Sequence, residues 1–180
     1  IGLDDYLQME GMVFKLHPQK VSPINYEKMK QNILQSADTD FIIRTPEEFT
    51  EYYQSGNGMY HYRNMNNPDV YFNFNIQRLV QNYRASFLQL VINSINGDEQ
   101  RKAESVSILN SMEEYFPTDN LPYNNDKLEL QVAQLYYMLG DEKEYRNRLS
   151  AMEKRDKISG ETLISIGQMY LSELNDYQKA

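Results

Sequence analysis

The sequence predicts a mainly α-helical fold built from antiparallel helical hairpins, preceded by a small irregular or short-strand segment. Three observations predict it. First, Leu128, Val132, Leu135 and Leu139 fall four, three and four residues apart, which draws one apolar stripe down a helix. Second, Gly140 stands where that helix must stop, and Tyr145, Leu149 and Met152 resume the helical spacing after it. Third, the same plan returns downstream. The step from Gly140 to Asn175 is 35 residues.

The hairpin at Leu128–Leu149 is the clearest unit. Ala133, Tyr136 and Tyr137 widen its first stripe, so that helix is expected to be buried on more than one side. Asn125 or Asp126 can cap its start, because a short side-chain acceptor satisfies an orphan backbone N–H. A small residue, an aromatic three positions on and a turn four further resemble the tetratricopeptide repeat, whose period is roughly 34 residues. Gly167, Tyr170, Asn175, Tyr177 and Ala180 look like the opening of another copy. A weaker copy lies upstream, with Gly97 in its turn, Ala103 in its second helix and Pro117 after it. The step from Gly97 to Gly140 is 43 residues, and the loop PTDNLPYNN accounts for the excess. The resemblance implies an α-α superhelix over residues 75–180, with residues 1–74 as a capping segment.

Composition removes several function classes. A net charge of −8 disfavours nucleic acid, whose phosphates require Lys and Arg, and disfavours docking on anionic lipid. No run of about 18 apolar residues exists, so no membrane span is expected within these residues. Zero Cys excludes disulfides and thiolate metal sites. A start at Ile1 without a signal segment is expected of an excised piece, and a stop at Ala180 falls in mid-repeat. Fifteen Tyr, no Trp and many Asn and Gln suit an exported bacterial protein.

In chain order, Gly2–Glu10 reads as a short helix and Met12–Leu16 as a strand closed by Pro18. Val21–Ile24 is a proline-containing loop. Tyr26–Leu34 reads as a helix with Met29, Ile33 and Leu34 inward, and Phe41–Ile43 as a short extended piece. Thr45 caps a helix with Pro46 at its first position, ended by Gly56 and Gly58. Met59–Phe74 is irregular and aromatic. The longest helix is predicted over Asn75–Ile95, with Ile76, Leu79, Val80, Tyr83, Phe87, Leu90, Val91 and Ser94 in period. Asp98–Tyr115 pairs with it. Asn125–Leu139, Asp141–Arg155 and Gly160–Leu174 complete the set.

The opening GLDDYLQMEGMVFKLHP carries a second resemblance, through Gly2, Leu3, Tyr6, Leu7, Glu10, Gly11, Phe14, Lys15, Leu16 and Pro18. It is similar to the region just beyond the membrane part of a bacterial family of multi-spanning proteins. That family has no assigned activity and looks related to protein O-mannosyltransferases. A matching block runs over Met59–Leu90, through Asn67, Pro68, Asp69, Val70 and Tyr71 and the arginines Arg78 and Arg84. Asn32–Ser55 departs from the family, where this connection is shorter. The resemblance implies an extracytoplasmic, periplasmic tail following glycosyltransferase-like membrane helices. The family's catalytic acid lies in an early membrane loop outside these residues, so no catalytic residue carries over.

No constellation for chemistry stands out. His17 and His61 are 44 residues apart and lack further zinc ligands, so no metal or cofactor is expected. The acidic pairs Asp4/Asp5, Glu47/Glu48 and Glu113/Glu114 diverge by about 100° on a helix and cannot flank a glycosidic bond. Glu47 and Glu48 suit a first-turn role against the helix dipole.

Two recognition candidates remain. The Tyr52–Phe74 stretch, with Tyr60, Tyr62, Arg63 and Tyr71, offers rings and polar groups that hold a peptide or a sugar. The simpler reading is that these rings pack the loop onto the long helix. Arg78 and Arg84 offer a clamp for a peptide carboxylate on a concave face, against the simpler reading of a solvated face with local ion pairs. The expected function is therefore non-catalytic recognition of a protein or peptide, or of the membrane-embedded part of the same chain. Carbohydrate binding through the aromatic stretch is the alternative.

Overall fold

The computed structural model describes residues 2–34, 44–55, 58–174 and 176. Its described residues form seven α-helices and one two-stranded antiparallel sheet. The extended piece expected at Phe41–Ile43 and the repeat positions Asn175, Tyr177 and Ala180 lie outside them, as does Gly56.

The chain divides into two compact units, residues 1–122 and 123–180. The boundary expected between Phe74 and Asn75 does not coincide with this. The reason is that the N-terminal residues share a core with the long helices instead of capping them. Tyr115 donates its hydroxyl to the Leu34 carbonyl at 2.7 Å, and Tyr26 donates to Glu104 at 3.0 Å.

The first unit starts on extended chain where a helix was expected. Gly2–Glu10 is not a helix: a single 3-10 turn at Asp4–Tyr6 leads straight into strand β1, Leu7–Met9. Strand β2, Phe14–Leu16, returns antiparallel with Leu7 opposite Leu16. Gly11 turns the chain between them at φ 122°, and a Cβ there would lie 2.7 Å from the Tyr60 ring. Distant partners outcompete local helix formation here. Met9 donates to the Pro23 carbonyl at 2.8 Å and accepts from Asn25 at 3.0 Å.

Helix α1, Tyr26–Leu34, buries Met29 and Ile33 as its period predicts. Helix α2, Pro46–Gln54, starts at the expected cap: Thr45 Oγ1 accepts the Glu48 N–H at 3.2 Å, and Glu48 accepts the Arg44 N–H at 2.8 Å. The first bond caps the helix, and the second anchors the residue just before the cap. Helix α3, Phe74–Ile95, and helix α4, Glu99–Tyr115, pair across a short Asn96–Asp98 turn. Val80, Phe87, Leu90, Val91 and Ser94 of α3 are buried as its stripe predicts, whereas Leu79 is 43% exposed. Ala103 also faces solvent. The small buried residues of this pair are Ser86, Ser94 and Ser105, whose hydroxyls bond carbonyls of their own helices at 3.3, 2.8 and 3.1 Å.

Lys30 donates to Glu104 at 2.6 Å and Tyr26 bonds the same carboxylate, which together hold its pKa below the ordinary carboxylate value of 4.5. A carboxylate with a lowered folded pKa stabilises fully above its unfolded pKa and loses that contribution as pH falls through the folded one. Glu104→Gln is therefore expected to cost about 1 kcal/mol near neutral pH, with the difference from wild type shrinking below about pH 4.5. Urea midpoints measured across that range check it, and a difference that grows in acid contradicts it.

The second unit holds helices α5, Asp126–Met138, α6, Glu142–Glu153, and α7, Gly160–Ser172. Tyr136, Tyr145 and Tyr170 are buried among Val132, Ala133, Leu149, Met152 and Ile166. The α5–α6 turn uses Gly140 at φ 86°. The Asp141 N–H reaches the Tyr136 carbonyl and the Gly140 N–H reaches the Tyr137 carbonyl, both at 2.9 Å, which is the Schellman closure. An added Cβ at Gly140 meets nothing within 4 Å, so Gly140→Ala tests backbone conformation alone. The expected loss is about 1–2 kcal/mol by thermal or urea unfolding, with Gly140→Asn closer to wild type.

Helix α7 runs beside α5 in the same direction. Thr162 bonds Asp126 at 3.0 Å near the two N-termini, and Tyr137 donates to the Glu173 carbonyl at 3.0 Å near the two C-termini. Arg155 grips the buried Glu129 carboxylate through both guanidinium nitrogens, tying the end of α6 to the start of α5.

Candidate functional site

The irregular 58–73 segment and helix α3 carry every residue singled out for binding. Their environments divide them sharply. Tyr60 is half-buried under the hairpin, and its hydroxyl accepts the Met12 N–H at 2.9 Å. Tyr62 is 8% exposed and sits at the centre of an aromatic cluster. Its ring centroid lies 4.9 Å from Phe116, 5.0 Å from Tyr115, 6.0 Å from Tyr83 and 6.2 Å from Phe87. Its hydroxyl donates to the Ile33 carbonyl at 3.2 Å, and burial pushes its pKa far up. Tyr62 therefore packs the loop onto the long helix, as the simpler reading holds, while Tyr60 packs it against the hairpin.

Arg84 is fully buried. Its Nη2 donates to the carbonyls of Phe116 at 2.7 Å and Leu121 at 2.6 Å, while Nη1 reaches Gln81 at 3.3 Å and the Pro122 carbonyl at 3.4 Å. Phe116 is the C-cap of α4, so the guanidinium lies at the negative end of that helix. Arg84 organises the 116–122 turn and offers nothing to a ligand. Buried in this way, Arg84 shares no open face with Arg78 on which a clamp could form.

The remaining residues form an open surface. Tyr71 is 89% exposed and Phe74 is 67% exposed. Arg78 is exposed one helical turn after Phe74, so the two share a face. Neither Tyr71 nor Arg78 makes a hydrogen bond or ion pair among the described residues. Arg63 is exposed on the loop nearby in sequence. Asn120 fixes this loop by donating to the Asn67 carbonyl at 2.6 Å.

A feature not singled out from the sequence continues this surface. Asn75, Arg78, Asn82, Ala85, Gln89 and Ile92 are all exposed, at alternating steps of three and four along α3. Only two of its 22 residues are charged, Arg78 and the buried Arg84. Helix α4 carries six charges in 17 residues and α6 six in 12. A solvent face normally carries such charges; the α3 face carries amides and apolar groups instead. The low charge of α3 was the signal in the sequence that could have found it.

The two histidines lie apart from this surface. His61 stacks on Tyr52 at 6.1 Å, and His17 pairs its backbone with Tyr6. Comparison with family models, curated proteins and solved structures found no match for this chain.

Proposed function

We propose that this chain is a non-catalytic helical-repeat domain that recognises a protein or peptide. Its place is the periplasmic face of a bacterial membrane, within a glycosyltransferase-like protein whose membrane-embedded part is itself a candidate partner. The recognition reading rests on one observation: the exposed, nearly uncharged face of α3, headed by Tyr71, Phe74 and Arg78. Rings supply contact area at low entropic cost, amides bond a peptide backbone, and Arg78 takes a carboxylate.

The tetratricopeptide-like part of the proposal is supported by the second unit. Helices α5, α6 and α7 are 13, 12 and 13 residues long, with α7 beside α5 in parallel. Ile164, Gly167 and Leu171 follow Leu130, Ala133 and Tyr137 by 34 residues, the expected period. The α5 face reaches α6 through rings of Tyr137 and Tyr145 at 5.1 Å, and the matching α7 face is an open groove. The α3–α4 pair, at 22 and 17 residues, fits the repeat less well. The membrane context rests on the resemblance carried by Gly2–Pro18.

The test is retention of proteins from source-cell extract on the immobilised domain, in parallel with Tyr71→Ala/Arg78→Glu. Wild type is expected to hold a protein that the double variant releases. An identical retained set, or none, overturns the reading. Exposed Tyr71 and Phe74 also favour a second reading, carbohydrate binding, since sugar faces stack on free rings. With no Trp present, tyrosine emission reports directly on an oligosaccharide titration, and an unchanged signal removes it.

A further inference from the structure

The β1–β2 hairpin leaves strand β2 open on both faces, its apolar face included. Leu7, Met9, Phe14 and Leu16 share one face, because strand neighbours alternate and Leu7 pairs with Leu16 and Met9 with Phe14. Yet Phe14 is 63% and Leu16 60% exposed, while Gln8 on the opposite face is buried and bonded to the Ser22 carbonyl at 2.9 Å. Half-buried sheets normally do the reverse.

The backbone of the same two residues is also open. Hydrogen-bonded pairs alternate along an antiparallel ladder. His17 donates to Tyr6 at 2.8 Å and Glu10 to Val13 at 3.1 Å, which fixes Gln8–Lys15 as the bonded pair between them. Met9, Phe14 and Leu16 therefore aim their N–H and C=O groups outward. On β1 the outward groups of Met9 are taken by Pro23 and Asn25. On β2 those of Phe14 and Leu16 have no partner among the described residues.

We propose that the outer edge of β2 is a docking site for one extended segment of another protein, added as a third strand. That segment carries apolar residues over Phe14 and Leu16 and an acidic residue opposite Lys15. Backbone chemistry selects a polypeptide over lipid, since hydrocarbon cannot bond the open amides. Charge selects the partner. Glu10 serves both Lys15, at 3.9 Å, and Lys28, at 3.7 Å, so the two lysines share one carboxylate and one positive charge is left over. A second copy of this chain, paired so that Phe14 faces Leu16 on both sides, would set Lys15 directly against Lys15.

The experiment selects peptides of about eight residues from a random display library on the intact domain, then follows backbone amide resonances during titration of the selected peptide. The expected sequences alternate β-branched or aromatic residues around an acid, and the amides of Phe14 and Leu16 shift first. Leu16→Pro removes an outward N–H without breaking the β1–β2 ladder, and is expected to weaken binding at least about tenfold. Leu16→Thr keeps the N–H and is expected to weaken it less. Lys15→Glu is expected to turn the preference toward Lys- or Arg-bearing peptides. Tyr71→Ala/Arg78→Glu is expected to leave this binding unchanged, which separates it from recognition on α3. No enrichment, or peptides that bind Leu16→Pro equally well, overturns the proposal. Shifts of these amides with protein concentration alone, or with phosphatidylcholine vesicles alone, also overturn it, in favour of self-pairing or a lipid surface.

Discussion

Arg84→Ala is expected to destabilise the first unit by about 3–5 kcal/mol, measured as a shift of its urea unfolding midpoint. The guanidinium is fully buried and bonds the carbonyls of Phe116, Leu121 and Pro122. Removing it leaves the carbonyls of the buried Phe116 and Leu121 without this donor and opens a cavity, and the two costs add. Those carbonyls belong to one turn after α4, so its closure is lost with them. Arg84→Lys is expected to recover less than half of the loss. An ammonium is a compact point charge, and it cannot span several acceptors as a planar fork does. A cost below about 1 kcal/mol for Arg84→Ala contradicts the structural role given to this residue.

Tyr62→Ala is expected to cost about 3–5 kcal/mol, because the ring fills the space between the 58–73 loop and the α3–α4 pair. Four aromatic neighbours surround it within 6.2 Å, and none can move in without leaving its own site. Tyr62→Phe keeps the ring and loses only the bond to the Ile33 carbonyl, for about 1 kcal/mol. The ratio of the two losses is the informative quantity. A ligand-binding tyrosine would show the opposite pattern, with little loss of stability and a loss of binding in both variants.

The contrast between Arg78 and Arg84 shows how far the residues alone could go. Both are arginines on one helix, and periodicity placed the helix itself to within a residue. Periodicity places apolar side chains, since their burial is favourable wherever they meet. It says nothing of which arginine meets carbonyls from a turn more than thirty positions away. Ala103 and Leu79 failed for a related reason. The small buried residues of α3 and α4 are serines instead, Ser86, Ser94 and Ser105, whose hydroxyls bond carbonyls of their own helices.

Local chemistry by itself determined the helices, their caps at Thr45 and Asn125, the Gly140 turn and the burial of Tyr136 and Tyr170. Each follows from spacing or from a bond within a few residues. Only the tertiary structure decided that Leu7–Met9 is a strand, that the chain divides after Pro122, and that Tyr62 and Arg84 are structural while Tyr71 and Arg78 are free. Those outcomes depend on contacts between residues far apart in sequence, where a bond from Pro23 or a carbonyl from Leu121 outweighs any local preference.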